Sequence, residues 1–135
     1  MEEKVKILDP VPPSEILNIT ASADIGTSLI ENVSLSYYLE APTKFFEYMM
    51  VGLPQVASNF PEMGKILEGN DFAVLVDTQD CAQVVSAINS ILEDKNKYKQ
   101  MKENAKSLAL EKYNWNVEGQ KLIELYNHLR SKGNK

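Results

Sequence analysis

Residues 37–61, YYLEAPTKFFEYMMVGLPQVASNFP, place a helix start, a helix, an abrupt stop and a buried strand in immediate succession. Pro42 and Thr43 open the helix, and Phe45, Phe46, Met49 and Met50 give it apolar faces at i, i+4 spacing. Gly52 and Pro54 end it, glycine because it adopts the left-handed turn of a helix terminus and proline because it cannot continue a helix. The next four residues, QVAS, read as a short buried strand, with Ser58, Asn59 and Pro61 turning into another helix. A helix that stops on Gly-x-Pro and runs straight into an apolar strand confines the chain to an α/β architecture.

The flanking sequence repeats that alternation. Lys4–Leu8, with Val5 and Ile7 between polar neighbours, predicts a strand, and DPVPPS after it a loop from which Pro13 or Ser14 opens a helix carrying Ile16, Leu17, Ile19 and Ala21. Asp24–Leu29 predicts a strand apolar enough to be buried on both faces, Val56–Ser58 a third, Glu62–Leu67 a short helix and Ala73–Val76 a fourth strand. Strands alternating with helices form βαβ units with right-handed crossovers. The expected fold is therefore a Rossmann-like three-layer α/β domain, with a parallel sheet of about four strands followed by C-terminal helices. Beyond Asp77 the pattern is helical. Asp80 and Gln83 form a capping box ahead of Val84, Val85, Ile88, Ile91 and Leu92, and a second helix carries Tyr98, Met101, Ala105 and Leu108. Asn114 or Asn116 caps a last helix with Trp115, Leu122, Tyr126 and Leu129 on one face, and the polar tail SKGNK is expected to fray.

Composition removes several classes. At 135 residues the chain has the size of one domain with a real core. Its net charge is −5, and Arg130 is the sole arginine among 14 basic residues, which argues against nucleic acid as a partner. The lone cysteine, Cys81, cannot form an intramolecular disulfide and reads as a small space-filling residue. No signal peptide and no apolar run of about 18 residues is present, which predicts a cytoplasmic setting. With one histidine, His128, read as a surface residue, no metal site is expected.

Two features of the central unit point to a ligand. The helix start at Ala41, Pro42, Thr43 and Lys44 offers free backbone N–H groups suited to phosphate, although every helix has such an end. It follows a long loop, Glu31–Ala41, carrying Ser34, Ser36, Tyr37 and Tyr38, where a plain strand-to-helix connection is usually shorter. Glu47, four residues after Thr43 and on roughly the same side, either complements the helix dipole or faces a ligand. Lys44 is either a point charge for phosphate or a solvated surface residue.

The run Pro42, Thr43, Lys44, Phe45, Phe46, Glu47, Tyr48, Met49, Gly52, Pro54 resembles the C-terminal, nucleotide-sugar-binding domain of the retaining glycosyltransferases called group 1 or family 4, of GT-B fold. The likeness continues through Ala57, Ser58, Pro61 and Glu62 to Tyr113, Asn114 and Trp115, and upstream through Asp24 and Ile25, so that it covers nearly the whole chain. It implies that Glu47 accepts hydrogen bonds from the donor ribose. It also implies that Tyr38, Leu39, Pro42, Thr43 and Lys44 hold the donor phosphates and sugar, and that Val11 in the loop Asp9–Pro12 meets the base. Many members carry two glutamates eight positions apart; here Leu39 stands eight before Glu47, with Glu40 one place off, so no sugar-contacting role passes to Glu40. The donor is a nucleoside-diphosphate sugar, no cofactor or metal is expected, and the acceptor is a glycan or lipid-linked molecule.

The resemblance further implies a fragment of a two-domain enzyme of polysaccharide biosynthesis. Residues 1–111 would be part of the donor-binding domain, 112–131 a helix crossing to an N-terminal acceptor domain, and 132–135 a disordered tail. Membrane contact would come only through the part not present. By itself the fragment is expected to bind donor weakly, to catalyse no transfer, and to fold its last helix onto itself or pair it in a homodimer. A sugar-nucleotide epimerase shares the architecture but needs catalytic acids and a histidine absent here. A phosphorelay receiver needs paired acids after its first strand, where Asp9 is followed by Pro10. A non-catalytic α/β interaction domain is the remaining alternative.

Overall fold

The unit of Tyr37–Pro61 folds as its punctuation dictates in the computed structural model, which describes residues 4–133. A helix, Thr43–Val51, ends at Gly52, whose φ of 68° and ψ of 40° lie in the left-handed region. The N–H of Gly52 donates to the Met49 carbonyl at 3.0 Å and that of Leu53 to the Tyr48 carbonyl at 2.8 Å, so the last turn's carbonyls are satisfied. The chain then enters the strand Gln55–Ser58, all four of whose residues are buried.

In chain order the elements are α1 (Pro13–Ala21), β1 (Gly26–Ser28), α2 (Leu35–Tyr38), α3 (Thr43–Val51), β2 (Gln55–Ser58), α4 (Pro61–Leu67), β3 (Ala73–Val76), α5 (Cys81–Leu92), α6 (Lys95–Glu111) and α7 (Trp115–Gly133). The strands form one parallel sheet in the order β1-β2-β3. Thr27 pairs with Val56, and Val56 with Val74.

Strand alternation divides the core between the two faces of the sheet. Ala57 and Ala73 point to Phe45 and Met49 of α3, Met63 and Ile66 of α4, and Ala105, Leu108 and Ala109 of α6. Val56 and Val76 point to Ala87 and Ile91 of α5, with Met101 of α6 closing that side. Small residues in the strands under Phe45 and Phe72 let the large rings fill the first layer; the two rings lie 5.4 Å apart, centroid to centroid. Two helix caps follow the sequence, Asp80 accepting from the Gln83 N–H and Asn114 from that of Val117, and Asp94 adds a third by accepting from those of Asn96 and Lys97. Gln83 does not complete the expected capping box. Its side-chain carbonyl accepts from the Asp77 N–H instead, because Asp80 already donates its own N–H to the Asp77 carbonyl.

Several expectations are corrected. The sheet has three strands, not four: Lys4–Leu8 is irregular, with Val5 71% and Ile7 94% exposed. Alternating hydrophobicity makes a strand only where a neighbour takes the backbone hydrogen bonds, and this segment does not lie along the open edge of β1. Nor is β1 buried on both faces; as the edge strand it leaves Thr27 exposed. The long loop before α3 holds a helical turn, α2, capped by Ser34. Cys81 is exposed rather than space-filling. The last helix does not fold back onto the sheet: Trp115 is 75% exposed, and Leu122, Tyr126 and Leu129 are exposed with it. That helix continues through Gly133, and the rest of the tail lies outside the described residues. Among the described residues no helix is long and apolar enough to cross a membrane.

Candidate functional site

Open parallel sheets bind ligands outside the carboxyl ends of their strands, and here those ends lead to Ile30, Asn59 and Asp77. Ser58, fully buried at the end of β2, fixes the first of these connections. Its hydroxyl accepts from the Ile30 N–H at 2.6 Å and has the carbonyls of Ile30, at 2.8 Å, and Ser28, at 3.3 Å, within donating reach. Thr78, after β3, reaches the same Ile30 carbonyl at 3.5 Å. The loop from Glu31 therefore leaves the sheet at a point held by side chains from the other two strand ends.

From there the Ser34 hydroxyl accepts the Tyr37 N–H at 3.3 Å, capping α2 and setting Tyr38 edge-on against Phe60 at 5.5 Å between ring centroids. Leu39 caps the C-terminal end of α2 and is half exposed. The chain then enters α3 through Pro42, which provides no side-chain cap. Among the described residues, the N–H groups of Thr43 and Lys44 find no acceptor, the first bond of the turn being Phe45 N–H to the Pro42 carbonyl. Both side chains are exposed. This is an open helix N-terminus with its partial positive charge uncompensated.

Glu47 lies one turn further along α3, half-buried, and makes no hydrogen bond or ion pair among the described residues. Its charge acts on Tyr48, whose phenol is pushed up from its ordinary value by burial first and by Glu47 second, against a hydrogen bond to Thr27 that lowers it. Tyr48 donates to the Thr27 carbonyl at 3.4 Å, and its ring lies on the backbone of Gly26, where an added Cβ would come within 2.6 Å of Cδ2. Gly26 thus lets α3 settle closely on β1. Val11 is partly exposed on the loop into α1, and α1 packs against α3, the helix bearing Glu47. Glu40 is half-buried ahead of Pro42.

A half-open cavity of about 340 Å³ lies at the carboxyl ends of β2 and β3. Tyr38, Phe60 and Val76 form its apolar lining, and Asn32, Asn59, Asp77, Thr78 and Gln79 its polar one. It leaves no mark in the sequence, because its walls come from three separate connections and the turn α2. Ser58 reads in the sequence as the end of a strand opening a turn, and its role in holding Ile30 does not, since that partner is 28 positions away. His128 is exposed on α7, remote in chain order from these elements.

The sequence pattern of the family described as "Glycosyl transferases group 1" matches residues 1–108. The D-inositol 3-phosphate glycosyltransferase of Corynebacterium urealyticum is 29% identical over 125 residues, covering 93% of this chain and 28% of that protein. Among solved structures, the sucrose-phosphate synthase of Thermosynechococcus elongatus shares the fold with a TM-score of 0.71 at 22% identity, over 87% of this chain and 28% of that one. The chain spans 28% of the length of each of these relatives.

Proposed function

The chain belongs to the group 1 glycosyl transferases, and from that membership we propose that it is the donor-binding part of a longer, retaining enzyme that moves a sugar from a nucleoside-diphosphate sugar to a glycan or lipid-linked acceptor. The observation that carries this reading is a half-buried carboxylate, Glu47, with no partner among the described residues, one turn from an open helix N-terminus. An ionised carboxylate accepts hydrogen bonds through both oxygens, which suits the paired hydroxyls of a ribose. The free N–H groups of Thr43 and Lys44 suit the diphosphate that follows the ribose in such a donor, with the exposed Lys44 ammonium adding a positive charge.

In this reading Glu47 orients the nucleotide, the start of α3 stabilises negative charge gathering on the departing diphosphate, and Tyr38 and Leu39 bound the donor from the preceding loop. Stabilising developing charge with fixed N–H dipoles is the usual electrostatic contribution to such a transfer. Val11 contacts the base. No residue of this chain is assigned to accept or donate a proton. Acceptor binding and the remaining charge stabilisation fall to the rest of the longer enzyme, as does membrane contact.

A ligand-observed NMR titration of the chain with UDP, GDP and ADP, repeated with Glu47→Ala, tests this reading. One nucleotide is expected to bind weakly, and the substitution to cost about 1.5–3 kcal/mol, the range for a hydrogen bond to a charged group. The same samples incubated with sugar nucleotide and acceptor glycans are expected to show no transfer. Binding by none of the three nucleotides, or equal binding by the variant, would remove the donor-site assignment.

A further inference from the structure

We propose that Ser58 and Phe60 are positioning residues for the loop Glu31–Ala41, holding it where Tyr38 and Leu39 meet a nucleoside-diphosphate sugar; the inference deepens the donor-site reading and rests on it. Every residue from Glu31 to Leu39 is exposed, so this stretch has no anchor of its own in the core. Among the described residues its backbone hydrogen bonds run within it, from the Val33 N–H to the Glu31 carbonyl, Tyr38 to Ser34, Leu39 to Leu35 and Glu40 to Tyr37. The turn α2 and its flanks are therefore a small unit whose place on the sheet is set from outside.

Both ends of that unit meet one three-residue segment, Ser58–Phe60, which leads from β2 into α4. The register that pairs Ser28 with Ala57, carried on by two residues, would set Ile30 beside Asn59. The Asn59 N–H is instead turned to the Val76 carbonyl of β3, at 2.9 Å, and that of Phe60 to the Ser58 carbonyl, at 2.8 Å. The Ser58 hydroxyl stands in for the missing ladder partner: it accepts from the Ile30 N–H at 2.6 Å and has the Ile30 carbonyl at 2.8 Å within donating reach. One side chain so reaches both backbone groups of the residue at which the loop leaves the sheet, groups that need a partner once removed from water. At the far end the buried Phe60 ring receives Tyr38 edge-on, with centroids 5.5 Å apart.

The start of α3 does not depend on these two holds, because Phe45 and Met49 fix that helix in the core. Loss of either hold should loosen Tyr38 and Leu39 and leave Thr43, Lys44 and Glu47 in place. A loop ordered before the ligand arrives loses less conformational freedom on binding, which is how a residue that touches no ligand raises affinity.

The test uses the ¹⁵N-labelled chain and its variants Ser58→Ala, Ser58→Thr, Phe60→Leu and Ser28→Ala, with UDP-glucose, GDP-mannose and ADP-glucose as probes. Ser28→Ala is the control, since it removes an equally buried hydroxyl that has no partner among the described residues. Backbone order parameters at Val33–Leu39 are expected to fall from about 0.85, the value for rigid backbone, toward about 0.6 in Ser58→Ala and Phe60→Leu, with β2 and α3 unchanged. Under conditions where every variant is folded, the probe that binds the unsubstituted chain is expected to bind these two about fivefold more weakly, and Ser28→Ala within about twofold. Ser58→Thr keeps the hydroxyl and should recover both readouts, whereas a residue that only stabilises the fold would move neither in a folded variant. Unchanged affinity in Ser58→Ala, whatever the mobility of the loop, or an equal loss in Ser28→Ala, would overturn the inference. Should Ser58→Ala not fold, Phe60→Leu decides by the same two readouts. Binding that is lost in Glu47→Ala and intact in Ser58→Ala leaves the donor site standing and removes this inference alone. Binding of none of the probes to the unsubstituted chain removes the donor-site reading and this inference with it.

Discussion

Two buried serines at the end of the first two strands show how the same side chain can stabilise or cost, according to what surrounds it. Ser58 is fully buried, and its hydroxyl takes the Ile30 N–H at 2.6 Å. Ser28 is equally buried, and its hydroxyl has no partner among the described residues. Leaving a buried N–H unsatisfied costs about 1–3 kcal/mol, whereas removing a hydroxyl that is already unsatisfied costs little or is favourable. Ser58→Ala should therefore lower the urea midpoint by an amount equivalent to about 1–3 kcal/mol, and Ser28→Ala should leave it unchanged or raise it. Equal losses in the two variants would mean that the Ile30 contact does not hold the loop. Sequence shows both serines as small polar residues near strand ends; only the fold, by bringing positions 30 and 58 together, distinguishes them. Glu47 is the opposite case. Its place one turn inside α3 was legible from spacing and resemblance, and its lack of an internal partner was not.

At the scale of elements, local punctuation was the reliable guide. Gly52 adopts the left-handed turn its place before Leu53 and Pro54 required, and α3 and β2 fall where the sequence puts them. An added Cβ at Gly52 would meet the Lys106 side chain from Cε at 2.5 Å back to Cγ at 2.7 Å, so Gly52→Ala should cost the strain of its φ of 68°, about 1–2 kcal/mol, and the displacement of that stem in addition. Gly64, inside α4, has nothing within 4 Å of its missing Cβ and no positive φ. There the change to alanine should stabilise by up to about 1 kcal/mol through helix propensity. Thermal unfolding of the two variants checks the opposite signs; a destabilised Gly64→Ala would mean that α4 is constrained by something besides its own backbone. Where the reading failed, the deciding contact was not local. Val5 and Ile7 alternate as a strand should, yet no strand edge lies beside them. The turn α2 rests on a single Ser34 cap within a polar, aromatic stretch with no helical period. The cavity beside it is assembled from this turn and three connections and leaves no pattern in any one of them.

Taken whole, the molecule is a three-stranded core with one element left outside it. Neither apolar cluster includes a residue of α7, although Tyr113, just before that helix begins, lies tilted against Phe46 with ring centroids 5.6 Å apart. Trp115 stands 75% exposed over an apolar hollow shared with Phe46, Met50 and Tyr113. A helix of 19 residues without tertiary packing is marginal in water, because helices in proteins draw most of their stability from a buried face. The Asn114 cap and the exposed Lys121–Glu118 pair add little, since surface pairs contribute about 0–1 kcal/mol. If the chain is part of the proposed longer enzyme, the remainder of that protein would cover this face. The dilute chain should accordingly show strong hydrogen-exchange protection at Val56 and Ala57 in β2 and almost none from Leu122 to Leu129 in α7. Protection of α7 that rises with protein concentration would show a second copy on the same face, the homodimer expected of an uncovered helix. Protection matching β2 at every dilution would mean that α7 packs on its own chain.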